Sequence, residues 1–100
     1  MLSISKDMKD GSAVYTLTGR LDTVTAPQLE EDLLEAIPSL QALELDFAAV
    51  DYISSAGLRV LLSAQKKITP AGGSMKLTHV DPMIMGIFEM TGFSDILTIE

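Results

Sequence analysis

The chain has 100 residues, 47% hydrophobic and 21% charged, with no cysteine, one histidine and a formal net charge of −7. That suits one soluble domain over residues 1–100. It excludes disulfides, cysteine nucleophiles and clustered transition-metal sites, and the lack of a basic stripe excludes nucleic acid as a partner. No apolar run approaches the ~20 residues of a membrane span, and the alternation beginning straight after Met1 is unlike a signal peptide, so a cytoplasmic protein without membrane insertion is expected.

Leu2, Ile4 and Met8 alternate with polar residues, which predicts a first strand. Lys9-Asp10-Gly11 reads as a turn, Asp-Gly being a hairpin signature. Tyr15 and Leu17 resume the alternation between Ala13 and Thr18, so the two strands should form an antiparallel hairpin. A helix is predicted from Thr25, where Thr25 and Gln28 have the spacing of a capping box and Pro27 fits the first turn. Leu29, Leu33, Ala36 and Ile37 share its apolar stripe, and Pro38 stops it.

Leu43, Leu45 and Phe47 alternate with Glu44 and Asp46, predicting a third strand that ends at the acid and passes into a short loop. The next helix should start near Ser55 and reach about Thr69, with Leu58, Leu61, Leu62, Ala64 and Ile68 inside and Arg59, Ser63, Lys66 and Lys67 outside. Pro70-Ala71-Gly72-Gly73 ends it. A fourth strand over Met75–Val80 precedes a helix capped by Asp81, with Pro82 at its first position and Gly92 at its close. Ile96–Ile99 reads as a last short strand. The order ββαβαβαβ calls for an α/β layered mixed sheet with packed helices, parallel wherever a helix intervenes.

The chemistry concentrates at Ser54 and Ser55. A serine at a helix start can cap an unpaired backbone N–H, or it can carry a phosphate that the helix terminus favours. Asp22 and Asp46 are expected at the same end of the sheet, near Ser55, and Asp51 reads as an ordinary loop acid. A hydrolase elbow is excluded because Ile53 stands where Gly-x-Ser-x-Gly needs its first glycine. Gly72-Gly73 follows a helix rather than opening one and lacks the lysine of a phosphate loop. His79, alone, reads as a surface or half-buried residue. No cofactor, metal or enzymatic activity is expected. The helix Met83–Met90 is apolar almost all round; core packing is the first explanation of its methionines and docking onto a partner the second, with Met83, Ile87 and Met90 sharing a stripe and Met85 projecting farthest from it.

Three segments, in order, carry a family resemblance: Thr18-Gly-Arg-Leu-Asp22-Thr-Val-Thr-Ala-Pro-Gln-Leu29, Asp46-Phe-Ala-Ala-Val-Asp51-Tyr-Ile-Ser54-Ser55-Ala56-Gly57-Leu58-Arg-Val-Leu-Leu62, and Met83-Ile-Met-Gly-Ile-Phe-Glu-Met-Thr-Gly-Phe93. Together they resemble the STAS domain of anti-sigma factor antagonists. The resemblance implies a STAS-type fold and a protein that, unphosphorylated, binds a serine-kinase-type anti-sigma factor and so frees a sigma factor. Ser55-Ala56-Gly57-Leu58 aligns with the family's phosphorylation turn, which implies Ser55 as the acceptor and Asp22, Asp46, Ser54, Ser55, Ala56, Gly57 and Leu58 as partner-binding residues. A phosphatase acting on the phosphoserine would reset the switch. The sequence departs from the family at Ser54, where many members carry Asp, and at Ala56, where some carry the phosphorylated hydroxyl. Ser54 is therefore the second acceptor candidate. The alternative is a STAS scaffold subunit of a membrane transport or signalling complex that is never phosphorylated.

Overall fold

The computed structural model describes residues 2–100. Its elements run β1 (Leu2–Lys9), β2 (Ser12–Leu21), α1 (Ala26–Ala36), β3 (Ala42–Ile53), α2 (Ser55–Ile68), β4 (Ser74–Thr78) and α3 (Pro82–Thr91), with 3-10 turns at Ile37–Ser39 and Phe93–Asp95. The sheet order is β1-β2-β3-β4. The first pair is antiparallel; the β2–β3 and β3–β4 pairs are parallel. This is the mixed α/β sheet expected.

Local chemistry explains most element ends. Asp10 and Gly11 both take positive φ, 37° and 86°, which is the two-residue turn whose twist matches the flanking strands. Asp81 accepts from the Ile84 N–H at 2.9 Å at the mouth of α3, and Gly92, with φ 83°, closes that helix in the left-handed region. Leu29, Leu33 and Ile37 of the first helical stripe are buried against the sheet residues Tyr15, Leu17, Leu43, Leu45 and Phe47. Phe88 anchors α3 there, edge-on to Phe47 at 6.4 Å between ring centroids. Tyr15 reaches through the core edge to donate its hydroxyl to Asp32 at 2.7 Å. Burial, and after it that bond to an acid, raise the Tyr15 pKa above the usual phenol range.

Several expectations need correcting. The third strand does not end at Asp46 but continues to Ile53. Two register shifts against β2, between Thr16 and Thr18 and between Gly19 and Arg20, each give β3 one extra residue. Such bulges turn the alternation out of phase, so the buried positions run Leu43, Leu45, Phe47 and then Val50, Ile53, with Ala48, Ala49, Asp51 and Tyr52 exposed between them. Asp51 therefore belongs to a strand, not a loop. The capping box at Thr25 does not form: its side chain makes no cap bond, and Gln28 reaches toward the Leu2 carbonyl instead. The predicted last strand reduces to one parallel bridge, Leu77 with Ile99, because the 3-10 turn uses up the preceding residues. On α3 the buried side chains are Ile84 and Phe88, while Met83 and Met90 are 74% and 85% exposed and Met85 is half-buried against the core. Met83 and Met90 thus face outward, against the core-packing expectation, while Ile87 of the same stripe is half-buried against the core.

Candidate functional site

The site is built where β2 and β3 both run out. Leu21 and Ile53 are register partners at the ends of their strands, and the Ser54 N–H donates to the Leu21 carbonyl at 2.9 Å. This bond places the start of α2 beside the β2–α1 loop. Asp22, the next residue, orders that loop: its Oδ1 accepts from the N–H groups of Val24 at 3.0 Å and Thr25 at 3.1 Å. The Thr25 hydroxyl donates to the Arg20 carbonyl at 2.8 Å and accepts from the Asp22 N–H at 2.9 Å. Thr25 is thereby spent on the loop, which is why it does not cap α1. Its role is one sequence reasoning assigned to the wrong partner.

Ser54 and Ser55 divide the work at the helix mouth. Ser54 is the N-cap, in extended backbone, and its hydroxyl accepts from the Gly57 N–H at 3.4 Å. That is a long bond, at the weak end of the ~0.5–2 kcal/mol a serine cap contributes. Ser55 is the first helical residue and is exposed, and no side-chain hydrogen bond engages its hydroxyl among the described residues. An exposed, uncommitted hydroxyl beside the first turn's free N–H groups is chemically available, and the terminus tolerates negative charge there.

Gly57 and Leu58 are buried. They hold the turn in place and offer no surface, whereas Ala56 is half-buried along the groove between α1 and α2. Asp46 is a correction: it lies mid-β3, paired in register with Thr16 and Thr78, its carboxylate accepting from the Ala48 N–H at 2.9 Å and meeting His79 Nδ1 at 3.1 Å. Seven steps of β3 from Asp46 to Ile53, at ~3.3 Å each, put it roughly 20–25 Å from the strand end where the serines follow. It pins the first bulge of β3 rather than facing the serines.

The structure adds two residues that the sequence did not single out. Arg20 and Tyr52, register partners, stack with the guanidinium 4.2 Å from the ring centroid, and Arg20 Nε lies 3.5 Å from Asp22 Oδ2. Only the shifted β2–β3 register brings them together, so no local sequence signal marks the pair. Val24, 85% exposed, lies on the β2–α1 loop and lines a shallow groove with Arg20 and Asp22.

The Thr25 N–H, ahead of the Val24 N–H and the Arg20 side chain, holds the Asp22 carboxyl below its ordinary value of 3.8. A carboxyl lowered by folding stabilises the native state above its unfolded pKa, and that contribution is lost as pH falls through the folded one. Asp22→Asn retains an acceptor oxygen but no charge. Wild type should therefore melt higher than Asp22→Asn near pH 7, and the gap should close as pH falls through and below the ordinary carboxylate range. A gap independent of pH in thermal melts would refute this role.

A mixed four-stranded sheet whose β3–α2 junction presents a capping serine followed by an exposed one beside the β2–α1 loop defines the class. The STAS domain model matches residues 3–100, and the chain belongs to the STAS domain family. It is 31% identical to the anti-sigma-B factor antagonist of Listeria monocytogenes, over 99% of this chain and 90% of that one. The crystal structure of an anti-sigma factor antagonist from Mycobacterium paratuberculosis superposes with a TM-score of 0.87 at 25% identity, covering 99% of this chain and 85% of that one. The fold is also that of SpoIIAA from Bacillus, at 18% identity, over 98% of this chain and with TM-scores of 0.80 for its unphosphorylated and 0.79 for its phosphorylated form; 87% and 91% of those chains are covered. Among the described residues no helix is long and apolar enough to cross a membrane.

Proposed function

We propose that this chain is an anti-sigma factor antagonist whose binding is switched by phosphorylation of Ser55. Unmodified, it binds an anti-sigma factor that is also a serine kinase, through the surface formed by the β2–α1 loop and the start of α2, and so frees the sigma factor. In the switching step the bond between Ser55 Oγ and the γ-phosphorus of ATP forms and the bond to its bridging oxygen breaks. ADP leaves, and the hydroxyl proton passes to a base on the kinase. A phosphatase reverses the modification. The chain itself acts as binding partner and phosphate acceptor, not as catalyst.

The observation that carries this reading is the division of labour between the two serines. Ser54 is committed to the cap, and Ser55 is exposed and uncommitted. Names borne by relatives over nearly the full chain support the partner class. Asp22, Ser54, Ser55 and Ala56 remain in the proposed interface, joined by Arg20, Val24 and Tyr52. Gly57 and Leu58 act from beneath it, and Asp46 is left out on distance.

Incubation with the kinase-type anti-sigma factor and ATP, followed by mass spectrometric site mapping, tests the assignment. The phosphate should fall on Ser55 and be absent from the Ser55→Ala variant. A phosphate on Ser54 would reverse the roles of cap and acceptor, and no labelling of either serine would overturn the switch.

A further inference from the structure

Arg59 lies one helical turn after Ser55 on α2, and both are exposed. Residues four apart on a helix have their Cβ atoms about 5–6 Å apart on one face. Helical side chains also lean toward the N-terminus, over the turn before their own Cα. An arginine at this position is therefore within reach of a group carried on Ser55. The order is the favourable one as well, since an anion N-terminal to a cation at this spacing stabilises a helix better than the reverse.

The other cations compare poorly. Arg20 is already stacked on Tyr52 and paired with Asp22. Lys66 and Lys67 sit in the last turn of α2, roughly 16 Å along the axis from Ser55 at 1.5 Å per residue. Arg59 makes no ion pair within 4 Å among the described residues. Glu30 of α1 lines the same groove as Arg59, but it does not reach ion-pair distance.

Resting on the phosphorylation of Ser55 proposed above, we infer that Arg59 is the intramolecular partner of the phosphate. Its guanidinium offers a planar fork of N–H donors to the phosphate oxygens. The pair holds the phosphate against the helix surface. It also engages a cation that is unpaired among the described residues next to the partner-binding surface, so modification changes that surface at two residues rather than one.

The test uses the full chain with phosphoserine placed at position 55 during translation, so it requires no kinase. The second phosphate ionisation, near pH 6 in an unpaired phosphoserine, is followed by phosphorus NMR. Pairing should place it at least about half a pH unit lower in the parent than in Arg59→Gln, with Arg59→Lys between them and Arg20→Gln like the parent. Identical titration of the parent and Arg59→Gln would overturn the pairing, as would a shift produced by Arg20→Gln instead. Failure here leaves the phosphorylation reading standing; failure of a kinase to label Ser55 removes that reading without touching this measurement.

Discussion

Gly57→Ala should destabilise the protein by about 1–3 kcal/mol, although alanine is the better helix former by about 1 kcal/mol. A Cβ at this position would stand 2.8 Å from Leu21 Cγ, 2.9 Å from Ile53 Cγ1 and 3.0 Å from the Leu21 carbonyl oxygen. Leu21 Cγ is the branch point of its side chain and Ile53 Cγ1 is one bond from its own; both side chains are buried, 0% and 3% exposed, and neither can swing aside. The oxygen is backbone and already accepts from the Ser54 N–H. Relief therefore requires α2 to lift off the strand ends, which breaks the bond that holds the serine turn beside Asp22. Denaturant unfolding should show a lower midpoint, and partner binding should fall with it. An unchanged or raised midpoint would mean the helix start does not seat on Leu21 as described.

Ser55→Asp should separate stability from binding. The residue is exposed at the first helical position, where a negative charge is favoured by up to ~1 kcal/mol, so the melting temperature should stay near wild type or rise slightly. Affinity for the anti-sigma factor should drop by roughly tenfold or more, since a charged group must be desolvated to enter an interface that met a neutral hydroxyl, at a cost above about 1.4 kcal/mol. The aspartate carries less charge than a phosphate, so the phosphorylated protein should bind more weakly still. Undiminished binding by the variant would place the contact surface away from the serine turn.

What could be read from the sequence was what depends on neighbours along the chain. The Asp10-Gly11 turn, the apolar stripe of α1 and the Asp81 cap all follow from spacings within one or two turns. What escaped was set by pairing across strands. Two extra residues in β3 shift the phase of its alternation, and with it the positions of Asp46, Asp51 and Tyr52; nothing in the run Ala48-Ala49-Val50 announces a bulge. The Arg20–Tyr52 stack depends on that same shifted register. The local rules failed at Thr25 for a related reason. A capping-box spacing was present, but Asp22 and the Arg20 carbonyl compete for the hydroxyl and win. On α3, a helix with apolar residues on every side has no periodicity from which to tell its buried face, and Phe88 settled it by packing on Phe47.

The most direct measurement is release of a sigma factor from its complex with the kinase-type anti-sigma factor. Purified unmodified chain should displace the sigma factor stoichiometrically when titrated into that complex, and the chain phosphorylated at Ser55 should fail to do so at the same concentrations. Absence of displacement by the unmodified chain, or equal displacement by both forms, would contradict the account.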